Sequence, residues 1–151
     1  MVSRYLSLIH ILAHVLGFGT IWQIPAGLVG GFSGSDPRFL GPRSMAAWSA
    51  MGRSGSVPVE ADGGAGTAYS HWDETTMAKE LMTGWLNSGV NPLSALSIAS
   101  LADLGYRVDL APAEPYSPPS LAAFRIGSDL APPTGGDDHH VEVLVTPKGS
   151  I

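Results

Sequence analysis

Two histidines four residues apart, His10 and His14, sit inside the apolar run HILAHVLGFGTIW that extends to Trp22. On a helix of about 3.6 residues per turn, positions i and i+4 project about 40° apart on one face. Two imidazole nitrogens can therefore reach a single cation. The same spacing also occurs as ordinary structure in buried helices, so the neighbouring residues have to decide. Gly17 stands three residues beyond His14, where a glycine lets a chain turn sharply beneath a bound ion. Metal helices of the His-Glu-x-x-His kind carry a glutamate after the first histidine, and it acts as general base. Here that position is Ile11.

In the compact form of that pattern a third histidine follows the glycine by three residues, but Thr20 occupies that place. A third ligand must come from further along the chain. The candidates are His71, within Ser70-His71-Trp72-Asp73-Glu74, and the pair His139 and His140. The pair lies in Asp-Asp-His-His near the end of the chain and reads as a solvated polar cluster. There is no cysteine, so thiolate sites and disulfides are excluded and any metal must be held by His, Asp or Glu.

Several elements must position these residues. Tyr5 to Leu16 reads as a helix apolar nearly all round, hence a buried one, with Gly17 ending it. Residues 27–66 form a long stretch rich in Gly, Ser and Pro, with one short helix expected from Ser44 to Met51. Val57-Pro58-Val59 is extended, and Pro58 bars it from a central strand. Asp73 to Leu86 reads as a helix capped by Asp73 or Thr75, with Met77, Leu81 and Trp85 at helical spacing. Asn91-Pro92 reads as a cap and first position of a further helix bearing Leu93, Leu96, Leu101 and Leu104, closed by Gly105. Tyr106 to Leu110 alternates as a short strand, and Val141 to Val145 as another. The segment between them is rich in proline and reads as a linker.

At 151 residues the chain has the length of one domain. It is 44% hydrophobic, enough for a core, while 19 Gly and 12 Pro call for long irregular connections. The formal net charge is −5, with 8 basic residues of which only two are lysine. This argues against nucleic acid and against an anionic membrane surface as partners. From Tyr5 to Phe32 no residue is charged, and Arg4 precedes the run. That pattern suits an export signal or membrane anchor, but Gly17, Gly19, Pro25, Gly27, Gly30 and Gly31 interrupt it, and two histidines on one face are costly in lipid.

The segments HVLGFGTIW, VPVEADGGAGTAYSHWDE and KELMTGWLNSGVNPLSALSIASLADLGY, in that order, resemble the leishmanolysin-like metallopeptidases. These are metzincins in which a long insertion separates the glycine from the third zinc histidine. The resemblance covers about Ile9 to Tyr116. It implies zinc held by His10, His14 and His71, Met82 as the methionine of the Met-turn beneath the metal, and peptides or proteins as substrates. It implies an α+β fold, mainly helical and loop-rich, with a zincin/metzincin-like active-site helix and a C-terminal subdomain. In these terms residues 1–116 are a partial catalytic domain. Its parts are an active-site helix at 5–16, an insertion at 23–70, a third-ligand and Met-turn region at 71–90 and a C-terminal helix at 92–104. Residues 117–151 are a linker and tail. For full-length relatives the resemblance implies a secreted or extracellular setting, although no convincing signal peptide stands here.

Two departures from the family pattern matter. Ile11 replaces the glutamate that takes a proton from the attacking water and passes it to the leaving amine. Removing such a proton shuttle costs about 10²- to 10⁴-fold. Asp73 and Glu74 read as first-turn helix acids, and Glu80 either supports a ligand or lies on the surface, so no replacement base is evident. The N-terminal sheet that walls the family's cleft is also missing, which makes the chain look truncated. The expectation is an impaired zinc metallopeptidase. The alternatives are a non-catalytic zinc-binding pseudoenzyme fragment and a small membrane-anchored or exported protein.

Overall fold

The apolar first segment folds as helix α1 (Arg4–Val15) in the computed structural model, which describes residues 4–31 and 34–120. The chain leaves α1 through Gly17, whose φ of 107° suits glycine, and the Gly17 N–H donates to the His14 carbonyl (3.0 Å). Two short strands follow, β1 (Val29–Gly30) and β2 (Arg38–Phe39). They pair antiparallel with each other, and β2 pairs antiparallel with β3 (Val57–Pro58), in the order β1-β2-β3. Pro58 thus lies on an edge strand, where its missing N–H is tolerated. Between β2 and β3 runs α2 (Pro42–Ala50), which starts on a proline at its first position. Helix α3 (Glu74–Met77) is one turn, and α4 (Ala95–Asp103) packs along α2. The fold is mixed α+β with long connections.

The core is aromatic. Phe18, Trp22, Phe39 and Trp72 are all fully buried, and their ring centroids lie 4.5 to 5.4 Å apart in tilted or T-shaped pairs. Val57, Met77, Leu81, Met82 and Leu96 complete it. Asp103 joins α4 to α2 by accepting from the Arg43 N–H (2.8 Å), the Ser44 N–H (2.9 Å) and the Ser44 hydroxyl (2.8 Å). These bonds satisfy otherwise unpaired donors at the start of α2.

Several expectations from the sequence are corrected. Helix α1 is not buried all round. Ala13 is its only buried residue among those described, and Tyr5, Leu8, Ile9, Ile11, Leu12 and Val15 are exposed along one side. Its apolar character therefore does not report burial in this fold. The helix expected from Asp73 to Leu86 is the single turn α3. Asp73 does cap it, accepting from the Thr76 N–H (2.7 Å), but Ala78 at φ 48° ends it. Met77 and Leu81 are buried from a turn rather than from one helical face. Ser94, not Asn91, caps α4, accepting from the Ser97 N–H (3.4 Å). Asn91 instead braces its own turn, accepting from the Asn87 N–H (2.8 Å) and donating to the Asn87 carbonyl (2.7 Å). Residues 106–110 pair with no strand among the described residues, and strands β1 and β2 were not anticipated. The strand expected at Val141 to Val145 lies outside the described residues. No helix among those described is long and apolar enough to cross a membrane.

Candidate metal centre

His10 and His14 come from adjacent turns of α1, and His71 comes from an extended segment threaded between two others. On one side of that segment Val59 pairs with Trp72, and the Glu60 N–H donates to the His71 carbonyl (2.9 Å). On the other side Trp72 pairs with Thr83, and the Trp72 N–H donates to the Met82 carbonyl (3.0 Å). The segment carrying Met82 thus lies directly beside the one carrying His71. Burial of Trp72 in the aromatic core fixes the depth of its neighbour His71, which is itself buried.

The three imidazoles converge. The Nε2 atoms of His10 and His14 are 3.1 Å apart, those of His10 and His71 3.2 Å, and those of His14 and His71 3.0 Å. Each Nδ1 faces a peptide carbonyl: Leu81 for His10 (2.9 Å), Phe18 for His14 (2.8 Å) and Thr67 for His71 (3.0 Å). A carbonyl can only accept, so each Nδ1 carries a hydrogen, and a neutral ring then presents a bare lone pair at Nε2. Burial lowers the His10 pKa despite the Leu81 carbonyl. It pushes the His14 pKa down to about 4, with proximity to His10 adding to the effect and the Phe18 carbonyl opposing it. His10 and His14 therefore stay neutral at pH 7.

Three Nε2 atoms meeting at such distances repel one another wherever each presents a lone pair. A cation resolves this. An ion about 2.0–2.1 Å from each nitrogen in a tetrahedral site sets ligand nitrogens about 3.3 Å apart, close to what these rings already hold. Neutral imidazoles suit zinc, and a second ring nitrogen tied to a carbonyl is the usual way such ligands are oriented. His10, His14 and His71 are thus a group able to hold a metal ion. His139 and His140 lie outside the described residues.

The remaining residues singled out from the sequence take clear positions. Met82 is fully buried, one residue from the Leu81 carbonyl that orients His10. It lines an apolar cavity of about 150 Å³ between α1 and α4, with Ala13, Phe18 and Leu101 among the other walls. Ile11 follows His10 on α1 and is 37% exposed. Glu80 is not on the surface but fully buried. The sequence reading missed Gly19, which has a φ of 71° and presses against Ser70. The Gly-Phe-Gly signal was present, but only its first glycine was given a role.

Residues 53–121 match the family model for leishmanolysin. That segment is leishmanolysin-like. The matched segment includes His71, Glu80, Met82 and all of α4, whereas α1 with His10 and His14 lies ahead of it. Leishmanolysins are zinc metallopeptidases, so the match supports a hydrolase acting on peptides or proteins. No curated protein and no solved structure matches the chain.

Proposed function

We propose that the chain carries a zinc site of leishmanolysin type, with His10, His14 and His71 as ligands and Met82 as the floor, and that its peptidase activity is weak or lost. The observation that supports this most is the meeting of three Nε2 lone pairs while all three Nδ1–H groups are committed to peptide carbonyls. When bound, zinc supplies a Lewis acid that polarises a peptide carbonyl and makes water a nucleophile at neutral pH. The chain's own contribution is to hold three neutral rings in one tautomer and to seat them on a buried aromatic core. Ile11 stands where the family has its glutamate and can neither accept nor return a proton. The residue at this position therefore cannot perform the proton transfers that peptide hydrolysis requires.

In this reading residues 1–116 are part of a metzincin-type catalytic domain. A second reading, a pseudoenzyme that keeps its metal for folding, is favoured by Ile11 itself. Metal titration of the full chain tests the shared premise. One equivalent of Zn²⁺ should bind, and His71→Ala should abolish that binding. A chain that takes up no zinc, or binds it equally well without His71, refutes the site. Chelation separates the two readings, since unfolding on metal removal marks a structural metal.

A further inference from the structure

Glu80 is 0% exposed, and among the described residues no cationic side chain pairs with it. A buried carboxylate is costly unless hydrogen bonds replace its water, and here four donors converge on it. Oε2 accepts from the Met82 N–H (2.5 Å). Oε1 accepts from the Ser94 N–H (3.1 Å), the Ser94 hydroxyl (2.6 Å) and the Ser97 hydroxyl (2.6 Å). The Ser97 oxygen also accepts from the Trp72 indole N–H (2.9 Å), so Ser97 links Trp72 to the carboxylate. Burial pushes the Glu80 carboxyl upward, while these hydrogen bonds pull it down.

The carboxylate therefore ties three pieces of chain together: the turn at 80–83, the first turn of α4, and Trp72. Two of these pieces, the turn and Trp72, lead to the trihistidine cluster. The turn delivers the Leu81 carbonyl to His10 Nδ1 and the Met82 carbonyl to the Trp72 N–H. Trp72 is the residue after His71. Resting on the zinc-site reading above, we propose that Glu80 is a positioning residue for that site, aiming His10 through the Leu81 carbonyl and fixing His71 through Trp72. It touches no ligand and acts through the backbone on either side of the cluster.

The substitution that tests this is Glu80→Gln. It keeps the volume but turns one of two acceptors into a donor where only donors converge. Ser97→Ala is milder and removes the Trp72 link alone. Asp103→Asn is the control, since it weakens a different carboxylate network that serves α2. Each full-length protein is titrated with Co²⁺ and followed by visible absorption. Imidazole ¹⁵N signals of the metal-free protein report the tautomer of His10.

Glu80→Gln should weaken Co²⁺ binding about 10- to 100-fold, the usual effect of losing such support, and should blur the single Nδ1–H tautomer of His10. Ser97→Ala should weaken binding about three- to tenfold, the worth of one hydrogen bond. Asp103→Asn should lower stability and leave both readouts unchanged. If the wild-type chain binds no Co²⁺, the zinc-site reading itself fails. If it binds while Glu80→Gln and Ser97→Ala match it in affinity and in the His10 signal, only the role of Glu80 is overturned. Should Glu80→Gln not fold, Ser97→Ala decides by the same criteria.

Discussion

Gly19 lies so close to Ser70 that a Cβ built on it would stand 2.0 Å from the Ser70 carbonyl oxygen. The turn that follows His14 and the segment that presents His71 are thus pressed together, backbone against backbone. The φ of 71° at Gly19 is a second reason for glycine there. Gly19→Ala should destabilise the chain by about 2 kcal/mol or more, combining the left-handed strain with a forced backbone shift. It should also weaken zinc binding. Gly52→Ala is the matched control, with a φ of 78° and nothing within 4 Å of the added carbon. It should cost only about 1 kcal/mol and spare the metal. Urea melts and zinc titrations of both variants check this.

Restoring a proton acceptor at position 11 is the direct test of impairment. With the site as proposed, Ile11→Glu should raise cleavage of an unfolded protein substrate by about 10²- to 10⁴-fold over the parent chain. The gain should vanish on chelation. Efficient zinc-dependent cleavage by the parent itself would contradict the assignment of Ile11 as a lost base.

Acid should destabilise the metal-free protein. The folded-state pKa of His14 is down at about 4 and that of His10 is also lowered, so the unfolded chain binds more protons at mildly acidic pH. The stabilisation from His14 is complete above its unfolded value and is lost as pH falls through its folded value. For His14 alone this amounts to about 3 kcal/mol between pH 7 and pH 4. Urea midpoints of chelated protein should therefore fall across that range, and His14→Gln should flatten the slope.

Asp103 gives a prediction away from the site. Removing its carboxylate as Asp103→Ala leaves the first N–H groups of α2 without partners and should cost about 1–3 kcal/mol. Metal affinity should not change. Thermal unfolding with parallel zinc titration separates the two effects.

The parts of the site that follow from local spacing were readable in the sequence. His10 and His14 share a helical face by arithmetic, and Gly17 ends that helix as expected. His71 could be singled out only through the motifs around it, because its approach to α1 depends on a 57-residue excursion. For Glu80 the sequence left support of a ligand and a surface position both open, for a different reason. The residue follows Lys79 in a polar-looking pair, and only the fold brings Ser94 and Ser97 to its carboxylate. The misread helix after Asp73 shows the limit of periodicity. Met77 and Leu81 are four apart and both buried, yet the chain between them turns at Ala78. Burial imposes the same spacing on a tight turn as on a helix.

The rings of His10, His14 and His71 take their aim from main-chain oxygens at Leu81, Phe18 and Thr67. Every amino acid supplies such an oxygen, so substitutions at those three sites that preserve the chain trace leave the guidance intact. The side chains around the three rings can thus change while the Nε2 atoms stay turned toward one another.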